Sequence, residues 1–254
     1  MKPVKIFLLL TVSLSLTFCT TVQTKKERKN ENDPQYQYEK AVIAIKYELV
    51  DEAIKYLNQA LALDPSHYES YNLLGLAHFK KKNFFQAASA YEKCLELRPD
   101  QPEVHNNLGF VYQELDFLDK AEDEYKKAYS IDENFNAGFS LAKIYFRQSK
   151  LELALDYVQK SIQKNSSSAA AYNLQGVILN KMNRPLEAIM SFQSAINLTP
   201  NDIIITVNLG IAYINNREFD KARMLFEKIL PLVKDQTLKD KINEYLKLIK
   251  ERKN

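Results

Sequence analysis

Glycine is scarce in this 254-residue chain, with five in all, and four of the five stand in one setting. LLGLAHF begins at Leu73, LGFVYQ at Leu108, LQGVILN at Leu174 and NLGIAYI at Asn208, each with its glycine between large apolar residues at helical spacing. Glycine costs such a helix about 1 kcal/mol relative to alanine. Gly75 and Gly109 are 34 residues apart, as are Gly176 and Gly210, and the stretch from Gly109 to Gly176 divides into intervals of 33 and 34 at Ala142, in SLAKIYF. A residue that recurs at a fixed interval against its local preference is a structural part, and a period of this size means one supersecondary unit repeated along the chain.

Other residues keep the same beat. Twelve residues past each small residue comes an alanine, at Ala87, Ala121, Ala154, Ala188 and Ala222. Four further on stands an aromatic, at Tyr91, Tyr125, Phe192 and Phe226, with Val158 as the exception. In one unit His105, Leu108, Gly109 and Tyr112 share one side of a first helix, and Ala121, Tyr125 and Ala128 share one side of a second. The polar run ELDFLDK, Glu114 to Lys120, supplies the turn between them. Small residues on the two facing stripes are expected to let the helix axes approach. One residue has been lost from the turn near Asp132 to Phe135.

A 34-residue period with these markers resembles the tetratricopeptide repeat. Six units fit: 34–67, 68–101, 102–134, 135–168, 169–202 and 203–236, the first with Ala41 in place of glycine but with Ala53, Leu57, Ala60 and Pro65 in their places. The resemblance implies an all-α fold, a right-handed superhelical solenoid of about six helix hairpins. A solenoid must cover its ends, and Leu238, Ile242, Tyr245 and Ile249 make the apolar stripe of a capping helix in residues 237–254.

The first residues differ in kind. Lys2 and Lys5 precede an apolar run, Ile6 to Phe18, and Cys19 follows. This reads as a signal peptide over residues 1–18, too short for a convincing membrane span. Leu16 to Cys19 resembles a bacterial lipobox, whose cysteine becomes the lipidated first residue of the mature chain; Phe18 departs from that pattern, where a small residue is usual. An ordinary cleaved signal, an uncleaved anchor and an incidental cysteine are the other readings. Residues 19–33 form a polar flexible tether, either a solvated spacer or a segment whose Lys25, Lys26, Arg28 and Lys29 touch anionic headgroups.

Catalytic apparatus is hard to find. No P-loop, dinucleotide fingerprint, HExxH pair or nucleophile elbow occurs, and His67, His78 and His105 are scattered. His78 and His105 take core positions of first helices, and Cys94 takes a small-residue position of a second helix. The expectation is a protein that is not an enzyme and has no cofactor, no metal site and no small-molecule substrate. Thirty-five basic and 32 acidic residues are mixed along the chain, which gives a solvated surface and argues against nucleic acid.

What remains is a surface. First-helix positions two, five, nine, twelve and thirteen form a stripe about 140° from the core stripe, which in tetratricopeptide proteins lines a concave groove that binds peptides or helices. Here the expected groove residues are Asn72, Leu76, Phe79, Asn106, Phe110, Phe139, Phe146, Asn173, Val177, Val207 and Ile211, with Val42, Ile45, Ile204 and Ile214 on the same stripe. Either they hold a partner segment or they pack between neighbouring first helices as core. Asn72, Asn106 and Asn173 recur at one position, suited to a partner's backbone or simply to capping and solubility. The family's carboxylate clamp needs lysine and asparagine where this chain has Tyr38 and Val42.

Size, lipobox and repeats together are similar to the type IV pilus biogenesis lipoproteins of the pilotin type. That resemblance implies a protein-binding scaffold of the bacterial envelope, lipid-anchored, in the outer membrane facing the periplasm or surface-exposed, that assists secretin or pilus assembly. A scaffold for peptidoglycan hydrolases or proteases and a surface adhesin are the alternatives.

Overall fold

The computed structural model describes residues 31–253; the signal segment, Cys19 and most of the tether lie outside them. Among the described residues there are thirteen α-helices and no strand, so the all-α expectation holds. They fall into two blocks, one up to Phe117 and one from Leu118. The first holds α1 (Pro34–Lys46), α2 (Val50–Leu63), α3 (Tyr68–Lys80), α4 (Phe84–Leu97) and α5 (Pro102–Glu114). The second holds α6 (Leu118–Ile131), α7 (Phe135–Arg147), α8 (Leu151–Lys164), α9 (Ala169–Lys181), α10 (Pro185–Leu198), α11 (Ile203–Asn215), α12 (Phe219–Ile229) and α13 (Gln236–Lys253). None of these helices is long and apolar enough to cross a membrane.

Local chemistry decides where each helix starts and stops. Asp33, Asn134, Ser168 and Asp202 cap first helices by accepting from a backbone N–H two or three residues on, a contribution of about 1 kcal/mol each. His67 does the same for α3, its Nδ1 accepting from Ser70 N at 3.2 Å. Each first helix then stops on a residue with positive φ: Glu48, Lys82, Asp116, Ser149, Asn183 and Arg217. At the last of these Arg217 N donates to Ile214 O at 3.0 Å and Glu218 N to Tyr213 O at 2.8 Å. The other five turns repeat that pair of bonds, which satisfies the carbonyls of the last turn. The second helices α2, α4, α8, α10 and α12 start without a side-chain cap.

None of the six left-handed residues is glycine, although that conformation disfavours a Cβ. Arg217→Gly should therefore raise stability by about 0.5–1 kcal/mol, the relief of strain exceeding the added entropy of the unfolded chain. Asn183→Gly should gain least, since asparagine already tolerates this region. Urea midpoints of the two variants check the order.

The recurring glycines do something more particular than bring alanines together, and the expectation of facing small-residue stripes is corrected on this point. A Cβ on Gly75 would lie 2.6 Å from the Tyr91 ring, on Gly176 2.6 Å from Phe192, and on Gly210 2.5 Å from Phe226. Each glycine is thus the seat of the ring sixteen residues later, and all three rings are buried. In α7 and α8, where the small residue is Ala142, the position sixteen later is Val158, and both are fully buried. In α1 and α2, Ala41 goes with Leu57 in one core cluster. Glycine accompanies a ring and alanine a smaller aliphatic, as constant packed volume demands.

Two connections depart from the pattern. The link between α6 and α7 has three residues, where those preceding α3, α5, α9 and α11 have four; Asn134 closes it by capping α7, donating from Nδ2 to Asp132 Oδ2 at 2.8 Å. The second helix α12 is shorter than its counterparts and ends in a 3-10 turn, Leu230–Leu232, because Pro231 has no N–H to continue the helix. The chain then turns into α13, where Ile242 and Ile249 are fully buried and the Tyr245 ring stacks on Phe226 at 5.5 Å.

Candidate functional site: the first-helix face

In the first block the stripe lies on α1, α3 and α5. Asn72, Leu76 and Phe79 of α3 and Asn106 and Phe110 of α5 are all half-buried. The Phe79 ring meets Phe110 edge-on at 5.5 Å and Phe84 at 5.7 Å, so the phenylalanines tile neighbouring helices together as well as reaching the surface. On α1, Val42 is exposed and Ile45 half-buried.

In the second block the stripe runs over α7, α9 and α11. Phe139 and Phe146 are half-buried; Phe139 stacks on Phe135 at 5.4 Å, and Lys181 of α9 sets its ammonium 5.1 Å from the Phe146 ring. Asn173 and Val177 are half-buried on α9, and Ile211 on α11. Val207 and Ile214 are not groove residues: at 6% and 7% exposed they are core, covered where α11 packs on its neighbours. Ile204, at 55% exposed, is the most open apolar residue of the stripe in this block.

The asparagines behave in a way that their repeat positions do not foretell. Asn208 Nδ2 donates to Asn173 Oδ1 at 3.0 Å, and Asn215 Nδ2 donates to Asn180 Oδ1 at 2.8 Å. Two amide rungs thus join α9 to α11, linking residues 35 apart, one position out of step with the repeat. A paired amide keeps one donor N–H on the first residue and acceptor capacity on the second, so a rung offers both to a third party.

The remaining candidates are structural. His105 is buried, its Nε2 2.8 Å from Pro99 O. Burial, then the charge of Lys81, holds His78 below the usual imidazole range. Cys94 is fully buried, and burial pushes its thiol up to about 11, so it stays protonated at neutral pH and is no nucleophile. Cys19 lies outside the described residues.

Sequence profiles of the tetratricopeptide repeat match residues 38–102, 102–135 and 139–203. The chain belongs to the tetratricopeptide repeat family. Over 179 residues it is 27% identical to the human protein O-mannosyl-transferase TMTC3, covering 64% of this chain and 20% of that protein. It therefore spans only about a fifth of that relative's length. Among solved structures, pilF of Pseudomonas aeruginosa superposes with a TM-score of 0.73 at 15% identity, covering 85% of this chain and 99% of pilF. YrrB, a tetratricopeptide protein with an unusual peptide-binding site, superposes with a TM-score of 0.63 at 21% identity over 72% of this chain and 94% of its own. At these identities the two structures speak to the fold. A tetratricopeptide array of this kind is a scaffold for protein–protein interaction.

Proposed function

We propose that this tetratricopeptide protein is a non-catalytic scaffold of a bacterial envelope, anchored by lipid at Cys19, that holds a peptide or helix of a partner on its first-helix face. Its place is the outer membrane, facing the periplasm, and the partner belongs to the secretin or type IV pilus machinery. The observation that carries the docking role is the set of half-buried apolar and amide side chains that each block presents on its own first helices, α3 and α5 in the first and α7, α9 and α11 in the second. Side chains in that state are held by the fold yet reachable by a ligand, which is the condition of a preformed site. The anchor rests on the lipobox-like Leu16 to Cys19, and the pilus setting on the resemblance to pilotin-type lipoproteins together with the fold shared with pilF.

Crosslinking in the native cell, followed by partner identification, tests the reading. A secretin or pilus subunit is expected; hydrolases recovered in its place would make the chain a scaffold for wall-processing enzymes. Cys19→Ser should move the protein from the membrane to the soluble fraction, and unchanged retention would remove the lipid as its attachment.

A further inference from the structure

Charge is distributed unevenly over the second block. Its first helices α7, α9 and α11 contain no aspartate or glutamate, and their only charged residues are Lys143, Arg147 and Lys181. The carboxylates of the hairpin helices in this block sit on the second helices, among them Glu122 and Glu124 on α6, Glu152 and Asp156 on α8 and Glu187 on α10, and Asp202 stands in the turn ahead of α11. Several are engaged with cations of their own or an adjacent position, Asp156 with Lys160 at 2.7 Å and Glu187 with Arg184 at 2.6 Å. The fold does not require this separation, because in the first block Glu39, Glu69, Glu103 and Glu114 all lie on first helices.

The three cations occupy the binding stripe itself, at position nine of its repeat for Lys143 and thirteen for Arg147 and Lys181. Arg147 and Lys181 are exposed, and Lys143 is half-buried with its ammonium 5.9 Å from the Phe139 ring, as that of Lys181 is 5.1 Å from Phe146. The face therefore changes character from helix to helix. It is basic and aromatic on α7, amide-bearing on α9 with the rungs to α11, and aliphatic on α11 through Ile204 and Ile211.

We infer that the segment held here is acidic, a stretch of a protein partner whose carboxylates meet Lys143, Arg147 and Lys181 while its apolar side chains lie on Val177, Ile204 and Ile211. This rests on the docking role proposed above and adds the chemistry of the ligand. Helices α7, α9 and α11 bring no carboxylate of their own to this face, and their three cations favour an anionic segment over a cationic one, complementary charge giving both selection and a faster encounter. The amide rungs suit a peptide backbone. The apolar end on α11 has nothing to offer a phosphodiester chain, whose binding depends on many cation contacts.

Two short synthetic peptides with the same leucine spacing, one bearing glutamates and one lysines, are titrated against the intact protein by fluorescence anisotropy. The glutamate peptide should bind, more weakly as salt rises, and the lysine peptide should not. Lys143→Glu/Lys181→Glu should weaken the glutamate peptide about tenfold and admit the lysine peptide, a reversal that mere structural damage does not produce. Equal binding of both peptides by the parent protein would overturn the acidic assignment and leave the docking role standing. If instead the glutamate peptide binds undiminished by Val177→Asp or Ile211→Asp in a protein of unchanged helicity, the docking face itself is wrong. Binding to vesicles rich in phosphatidylglycerol with no binding of either peptide would replace the peptide ligand by a membrane surface.

Discussion

Gly176→Ala will destabilise the protein although it raises helix propensity. Alanine in place of glycine in a helix interior is worth about 1 kcal/mol, and a propensity argument alone predicts a gain. The new methyl, however, would stand 2.6 to 2.8 Å from three carbons of the Phe192 ring. That ring is 1% exposed and enclosed by α9 and α10, so it cannot swing away. Overpacking a closed core costs about 1–3 kcal/mol, and with the shift of a whole ring required the upper part of that range applies, leaving a net loss of about 2 kcal/mol. The chain itself supplies the compensating change: where alanine stands at this position, the residue sixteen later is Val158 or Leu57. Phe192→Leu alone should also destabilise, by leaving a cavity. The double variant Gly176→Ala/Phe192→Leu should be more stable than the sum of the two single losses by at least about 1 kcal/mol. Urea unfolding of the four proteins, with hydrogen exchange to localise the effect in α9 and α10, gives the cycle. Strict additivity would show that glycine and ring do not act as a pair.

The same pair marks where sequence reading succeeds and where it stops. Repetition exposes a glycine that makes no sense within its own helix, and from its period follow the hairpins and the all-α fold. The identity of its partner is not exposed, because helical spacing orders residues on one helix at a time. Facing alanines and a facing ring leave the same trace. Gly138 is a harder case: a Cβ there would meet Ser161 Oγ at 2.7 Å, yet no other unit has glycine at that position, so repetition carries no signal for it. The left-handed turn residues were invisible for the opposite reason, being six different polar side chains held in one conformation by backbone hydrogen bonds.

On the candidate face the limits are those of packing between helices. Angular position around a single helix places Val207 with Val177 and Ile211, but α11 is pressed against its neighbours on that side, and Val207 is core. The rungs Asn173–Asn208 and Asn180–Asn215 join positions that differ by one along the repeat, so aligning the units hides them. A stripe defined by rotation about one axis finds the helices that carry a face, and the neighbouring helix then decides which of its residues remain open.

Removing α13 should cost the second block several kcal/mol and its solubility. The last hairpin of a stacked array has no following hairpin to cover it, and here α13 takes that place. Ile242 and Ile249 are fully buried, Val233 is 3% exposed, and Tyr245 stacks on Phe226, the ring that also fills the seat of Gly210. Each buried isoleucine contributes about 2–3 kcal/mol and the ring stack about 1 kcal/mol more, against the entropy of ordering one helix. A chain ended at Asp235 would uncover one face of Phe226, leaving α12 with an apolar surface and no cover. Truncation also removes the charges of α13, so Ile242→Asp is the sharper variant, placing an unpaired carboxylate in the same interface at a cost of several kcal/mol. Asn243→Asp, on the exposed side of the same helix, adds the same charge without burial and should change stability by no more than about 0.5 kcal/mol. Loss of exchange protection beginning in α12 and α13 under Ile242→Asp, with α7 and α8 protected longer, is the expected order. Unfolding of the block in a single step would show that the cap is continuous with the core it covers.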